Sequence, residues 1–379
     1  MSDGTKIEWT EATWNPITGC SVTSPGCTNC YAMKLAGTRL RNHPSRTGLT
    51  RDSKAGPVWT GEVRFNEEWL GQPLRWKRPR MIFVCAHGDL FHESVPDEWI
   101  DRVFAVMALA SQHTFQVLTK RSARMREYFR ESTGWRARIA ERLNDLKPSP
   151  LWNGNVYQGW QNLHGTPDGL ANVWLGVSVE DQARADERVP DLLATPAAVR
   201  WLSCEPLLGP VDLAAIRMNT CHDLGFDALG GAEIHKDDGD LRTVGRKVDW
   251  VVVGGESGLG ARPMHPGWAR SLRDQCAAAG VPFFFKQWGE WAPVCEMAED
   301  LIDSCYAPAP ERSPEATRRC KVDQSVLHSD GRRFVGRAMY EQPAFEQGSG
   351  AMTMMAIGKK RAGRHLDGQI HGNHPLVPT

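Results

Sequence analysis

Residues 81–121 read Met-Ile-Phe-Val-Cys-Ala-His-Gly-Asp-Leu-Phe-His-Glu-Ser-Val-Pro-Asp-Glu-Trp-Ile-Asp-Arg-Val-Phe-Ala-Val-Met-Ala-Leu-Ala-Ser-Gln-His-Thr-Phe-Gln-Val-Leu-Thr-Lys-Arg. The pattern is strand, helix, strand. Met81–Cys85 is a continuous apolar run, as expected of a strand buried on both faces. Asp97–Ala110 places Trp99, Ile100, Val103, Phe104 and Met107 on one helical face, and Asp97, following Pro96, can serve the helix start. Thr114–Leu118 is the next strand and ends in Thr119-Lys120-Arg121.

The same rhythm extends in both directions. Glu62–Phe65 is a short strand candidate followed by a helical stretch to Trp76. After residue 172 come a strand at Val173–Val179, a helix through Asp181–Leu193 and a strand at Val199–Cys204. Asp249–Val253 is a buried strand, 266–279 a helix, and Pro282–Phe285 the last strand. Strands alternating with helices in this way predict an α/β fold, a parallel βα barrel that is partial or full, over residues 1–291. Two stretches break the rhythm and read as insertions. One, 132–172, carries a helix candidate at Arg136–Leu146 and a loop rich in Gly, Asn and Trp; the other, about 215–247, is rich in Gly and Asp. Residues 41–58, with Arg41, Arg46, Arg51 and Lys54, read as a mobile basic surface segment, either a solvated loop or one that contacts phosphate. Residues 292–379 lack the rhythm and are expected to form an irregular C-terminal extension. It holds a Met-rich patch at Ala351–Ile357, a basic stretch at 358–364 and a tail with His371 and His374.

In βα barrels function gathers at the C-terminal ends of the strands. This chain repeatedly sets polar residues there: His87, Asp89 and His92, Thr119 and Lys120, Ser178 and Glu180, Ser203 and Glu205, Glu256 and Ser257, Lys286 and Gln287. The first strand end leads into Gly-Cys-Ser-Val-Thr-Ser-Pro-Gly-Cys-Thr-Asn-Cys-Tyr at 19–31, and a helix-compatible stretch, Tyr31–Leu40, follows at once. Cys20, Cys27 and Cys30 sit close enough in sequence to converge on one metal centre. Their number leaves two readings open. An iron–sulfur cubane held by three thiolates leaves one iron free for a small molecule. A zinc knuckle needs a fourth ligand, for which His43 is available. His87, Asp89, His92 and Glu205 could alternatively form a metal-dependent hydrolase site.

Bulk composition narrows the setting. The 379 residues can bury a large core, and 45 basic residues balance 45 acidic ones, so no global field draws the protein to nucleic acid or membrane. Ten cysteines without regular pairing suit a reducing compartment, and no apolar run reaches membrane-spanning length; a cytoplasmic protein is expected. Fifteen tryptophans offer core and flat faces for stacking a base.

The Cys-x6-Cys-x2-Cys loop at the head of an α/β chain resembles a variant of the radical SAM cluster loop. More closely, the chain resembles the phage Gp37/Gp68 family, also called the DUF5131 or three-Cys-motif family. The residues that carry this are Trp-Asn-Pro-Ile-Thr-Gly-Cys at 14–20, Asp-Leu-Phe-His at 89–92, His-Thr-Phe-Gln-Val-Leu-Thr-Lys-Arg at 113–121, Cys-Glu-Pro-Leu-Leu-Gly-Pro at 204–210, Val-Gly-Gly-Glu-Ser-Gly at 253–258 and Phe-Phe-Lys-Gln-Trp-Gly-Glu-Trp at 284–291. The loop departs from the usual radical SAM pattern in two ways. Six residues, not three, separate the first two cysteines, and Asn29 stands where an aromatic usually precedes the third, with Tyr31 just after it.

The resemblance implies a radical SAM-type barrel in which Cys20, Cys27 and Cys30 hold a [4Fe–4S] cluster that cleaves S-adenosylmethionine (SAM) to a 5′-deoxyadenosyl radical. It further implies that Gly254, Gly255 and Glu256 correspond to a SAM-holding Gly-Gly-Glu element, with Tyr31, Ser178 and Glu180 as further cofactor contacts. Asp89, Lys120 and Glu205 are the expected substrate-side residues. An external one-electron donor such as flavodoxin or ferredoxin, a nucleic-acid base or nucleotide as substrate, and a partner protein encoded nearby complete the expectation.

Overall fold

The computed structural model describes residues 4–5, 7–131, 134–146, 155–165, 168–218, 221–235, 241–243, 245–308 and 318–375. Its centre is one seven-stranded sheet. The strands are β1 (Ala12–Trp14), β2 (Met81–Val84), β3 (Thr114–Thr119), β4 (Val173–Ser178), β5 (Val199–Cys204), β6 (Trp250–Gly254) and β7 (Phe283–Gln287). They lie side by side in chain order, and each neighbouring pair is parallel.

Side-chain alternation explains why this sheet curls rather than taking helices on both faces. Ile82, Val84, Phe115, Val117, Leu175, Val177, Leu202, Val251 and Val253 share one buried cluster with the helices. These helices are α2 (Asp97–Leu109), α6 (Gln182–Ala194) and α7 (Pro266–Ala279), with Ile100, Val103, Phe104, Val189, Leu192 and Leu272 among the packed residues. The intervening strand positions, Phe83, Trp174, Val199, Trp201, Trp250, Val252 and Phe284, form a separate cluster with Trp9 that contains no helix residue. Successive residues of a strand face opposite ways, so the helices cover one face and the tryptophans fill the other. A sheet wound one way with all its crossovers on one side is a curled half-barrel. Gly176 lies on the tryptophan face because a Cβ there would stand 2.5 Å from the Trp201 ring.

Several elements differ from the sequence expectation. Arg64–Phe65 is extended, but it pairs antiparallel with Ile17–Thr18 outside the main sheet, so the barrel has seven strands and not eight. Residues 41–58 are not a surface segment throughout. Ser45, Arg46 and Leu49 are buried, and Thr50–Ser53 and Gly56–Trp59 form a hairpin; Arg41, Arg51 and Lys54 stay exposed. In the first insertion, α4 (Gly134–Asp145) matches the predicted helix, and α5 (Val156–His164) forms where a loop was expected. Both pack on the outer side of α2, with Leu143 and Leu163 fully buried. The second insertion is a four-stranded antiparallel sheet running from Ile216 to Thr243.

The C-terminal extension is not irregular. Trp291–Pro293, Met352–Ala356, Gln324–Leu327 and Arg333–Val335 form a four-stranded antiparallel sheet in that order. The tail then returns to the barrel. Phe285 N donates to His371 O, Asn373 N donates to Phe283 O, and Trp250 Nε1 donates to Asn373 O. An open parallel sheet has unpaired edges, and these bonds cover the β7 edge with the chain's own end. Cys85, Cys204, Cys276 and Cys305 are buried as expected of small apolar residues, Cys295 is exposed, and Cys221 has no described side chain. No helix among the described residues is long and apolar enough to cross a membrane.

The tight fit at Gly176 yields a direct expectation. Gly176→Val forces its side chain into the Trp201 ring and costs about 1–3 kcal/mol, read as a lower urea midpoint with unchanged far-UV circular dichroism. An unaltered midpoint would contradict the packing of the tryptophan face.

Candidate functional site

Above the tryptophan layer, the same face of the sheet turns polar. Thr13, Asn15, Lys120, Ser178, Ser203, Glu205 and Lys286 line a cavity of about 980 Å³ at the C-terminal ends of the strands. Cys20, Cys27 and Cys30 line that cavity from the other side, together with Tyr31 at the start of α1 (Tyr31–Gly37). The structure thus brings most of the predicted site residues into one space.

The cysteine loop has little regular structure of its own, only a single 3-10 turn at Pro25–Cys27. Charged residues at strand ends hold it. Arg121, just after β3, donates to Cys20 Sγ at 3.5 Å, to Ser21 Oγ at 2.7 Å and to Asp89 Oδ2 at 2.9 Å. Glu180, after β4, is fully buried and accepts from Ser24 Oγ and from Arg188 at 2.8 Å, with Lys120 Nζ at 3.5 Å. Glu256, after β6, accepts from Asn29 Nδ2 at 2.9 Å and from the Arg262 guanidinium at 2.7 and 2.9 Å, and Arg262 also donates to Pro25 O. A Cβ at Gly26 would stand 2.3 Å from a Glu180 oxygen, so glycine is what lets the loop settle on that carboxylate.

These contacts redistribute the predicted roles. Asp89 accepts from Thr119 Oγ1, the Phe91 and Lys120 amides and Arg121, so its carboxylate is saturated and ties β2 to β3. Glu180 and Gly254 do not line the cavity; Glu180 stands behind the loop, and Gly254 makes room for Glu205, whose Oε1 a Cβ would meet at 2.5 Å. Gly255 lines the cavity and backs onto the Trp288 carbonyl, 1.9 Å from where a Cβ would sit. Glu256 lines it too, with its oxygens engaged as above. Ser178 lines it while its carbonyl accepts from Arg188. Tyr31 pins its hydroxyl to Ala86 O at 2.7 Å and leaves its ring half exposed. Glu205 pairs with Lys286 Nζ at 3.0 Å and keeps only a 3.5 Å contact from Ser203 on its other oxygen.

The three thiols are inequivalent. Burial and the neighbouring Asp89 carboxylate push Cys20 up to about 12. Burial also pushes Cys30 up, with Cys27 adding to the effect. Burial acts on Cys27 as well, but the Lys120 ammonium and the donors of Thr23 and Ser24 outweigh it and leave the thiol below its usual value. Cys27 is therefore the readiest thiolate. Among the described residues, no three His, Cys, Asp or Glu side chains converge as ligands of one ion. His43 and His87 engage Nδ1, with Ser45 and Arg46, and His92 engages both nitrogens, Nε2 with Ser21 and Nδ1 with the Ser94 amide. A single zinc ion needs four donors around one point, whereas in a cubane each cysteine binds a different iron; the three thiols lining this cavity match the second donor set in number.

Sequence reasoning missed the roles of three of these residues. Arg188 carries a signal: it shares the buried stripe of α6 with Ala185, Val189 and Leu192, where an arginine needs a buried acid. Asn29 and Arg262 lie in loops without periodicity, and only the folded chain brings them to the site; Arg46 was named in the basic segment, but its burial was not foreseen.

Glu180 offers a test of loop anchoring. Burial raises its carboxyl, but Lys120 and Arg188 outweigh this and hold it below its ordinary value of 4.5. A carboxylate with a depressed folded pKa stabilises fully above its unfolded value, and that contribution is lost as pH falls through the folded one. Glu180→Gln leaves buried Arg188 with only a 3.9 Å contact to the exposed Glu187 as counter-charge and is expected to cost about 3–5 kcal/mol at pH 7. In denaturant titrations the gap to the parent protein should narrow below about pH 4. A gap that stays constant with pH would contradict the ion-pair assignment.

No curated protein and no solved structure matches this chain. The family described as "Protein of unknown function (DUF5131)" matches residues 4–375, nearly the whole chain, and the protein belongs to that family.

Proposed function

We propose that this protein is a radical SAM enzyme. The observation that carries the reading is that Cys20, Cys27 and Cys30, free of disulfides, line one cavity at the C-terminal mouth of a parallel half-barrel. In the proposal these three residues hold a [4Fe–4S] cluster. With SAM bound against it, that group supplies one-electron cleavage of the sulfonium and a hydrogen-abstracting 5′-deoxyadenosyl radical.

The chain's own residues do the rest. Arg121 orients Cys20, and Lys120 favours the thiolate of Cys27. Glu256 and Glu180 fix the loop from two sides, so the thiols are held in place before any cofactor enters. Tyr31 presents a half-exposed ring, and Ser178 and the Gly255 backbone border the space for the cofactor's polar groups. Glu205, with Lys286 on one oxygen, presents a fixed ion pair to the substrate side. The tryptophan layer closes the barrel's lower end and excludes water from below. The electron comes from an external donor such as flavodoxin or ferredoxin. The substrate class is a nucleic-acid base or nucleotide, supported by Trp59, Trp69 and Tyr31 on the cavity wall beside Arg46 and Lys286.

Anaerobic purification and reconstitution, followed by iron, sulfide and zinc analysis, tests the class. About four irons per chain are expected, with reductant-dependent 5′-deoxyadenosine formation from SAM, and Cys27→Ala should lose both. Stoichiometric zinc with no SAM cleavage would replace the reading with a zinc-bearing binding or hydrolytic protein.

A further inference from the structure

The cavity contains a buried cation with no acid to match it. Arg46 is 4% exposed and lines the cavity. Its Nη1 donates to Ser45 O at 3.1 Å and Ser45 Oγ at 2.8 Å, its Nη2 donates to His87 Nδ1, and its guanidinium lies 5.9 Å from the Trp69 ring centre. Every one of these partners is neutral. Burial, with the Arg46 charge adding to it, pushes His87 down to about 4, so at neutral pH the imidazole is an uncharged acceptor. Arg46 is itself pulled down by burial to about 10, which leaves it charged. A second cation, Arg64, also acts on it, and its own donors go to the Pro44 and Thr47 carbonyls.

The contrast with the other buried arginines is sharp. Arg121 is paired with Asp89 and Glu93, and Arg188 with Glu180. Among the described residues, no carboxylate lies within ion-pair distance of Arg46. A desolvated guanidinium without a counter-charge is costly to keep, and one that faces a cavity is completed when an anion arrives. Arginine is also the residue whose planar fork matches an oxyanion.

The surroundings specify what the anion is attached to. Tyr31, 54% exposed as a residue, lines the same cavity with its hydroxyl fixed on Ala86 O, and its ring centre stands 6.0 Å from that of His87, the partner of Arg46. Trp59 and Trp69 line the cavity nearby. We propose that Arg46 is the anion-binding residue of a substrate subsite, taking a phosphate or carboxylate group whose attached flat ring lies against Tyr31. The subsite binds and orients; no bond is made or broken there. Using a nucleotide as the probe rests on the substrate class proposed above, whereas the anion subsite stands on Arg46 alone.

Calorimetric titration of the full chain with inorganic phosphate, thymidine, thymidine 5′-monophosphate and SAM tests this. The monophosphate should bind more tightly than either phosphate or thymidine. Arg46→Gln should weaken the monophosphate about ten- to hundred-fold, the range of a lost charge-assisted pair, and leave thymidine unchanged. Tyr31→Ala should weaken thymidine and its monophosphate alike, whereas Tyr31→Phe should not. If Arg46→Gln fails to fold by circular dichroism, Arg46→Lys serves instead, because it keeps the charge but not the fork and should lose only part of the phosphate contribution. Phosphate binding that depends on Arg46 but gains nothing from the nucleoside would uphold the anion subsite and remove the nucleotide reading. Monophosphate binding indifferent to Arg46, or a loss confined to SAM, would overturn the proposal.

Discussion

The site depends on charges anchored at strand ends that hold an otherwise shapeless loop. Residues 20–30 carry three thiols and a single helical turn that contains Pro25 and Gly26, too little to fix three side chains in space. Arg121, Glu180 and Glu256 supply what the loop lacks. Each sits just past a strand of the half-barrel, and each charge is matched, by Asp89 and Glu93, by Arg188 and by Arg262. Buried ion pairs add little net stability, but breaking one is expensive. Such pairs are therefore suited to specifying a single loop conformation, and here they link the loop to three different strands.

The barrel scaffold makes those anchors rigid. Alternation along each strand assigns one face to the helices and the other to tryptophans below and polar groups above. The aromatic layer and the polar cavity are thus two levels of the same face. The C-terminal tail contributes to the same rigidity, covering the β7 edge and bonding Trp250 from beneath.

How much of this was legible in the sequence follows from the range of the interactions. β5 and α7 were readable to the residue, because an apolar run and a helical stripe are local patterns. The three cysteines and the polar strand ends could be read as a site for the same reason, since a barrel sends all its strand ends to one mouth. The extra strand at Glu62–Phe65 was misread because local propensity cannot show whether a strand joins the main sheet or pairs elsewhere. The C-terminal sheet was missed because its strands are short and separated by long loops. Roles were harder than positions. Asp89 and Glu180 stand where function was expected, yet their carboxylates are bonded to Arg121 and Arg188, partners 32 and 8 residues away that no local pattern connects. Arg46 was legible as one cation of a basic segment, but its burial is created only by tertiary packing.

The central claim is that the anchored thiols hold a cluster with one iron open to SAM. Electron paramagnetic resonance of the reduced, anaerobically reconstituted protein, with and without SAM, addresses it most directly. The account predicts a reduced [4Fe–4S] signal whose line shape changes when SAM is added, because SAM reaches the iron that no cysteine holds. A signal indifferent to SAM, or no iron–sulfur signal at all, would contradict it.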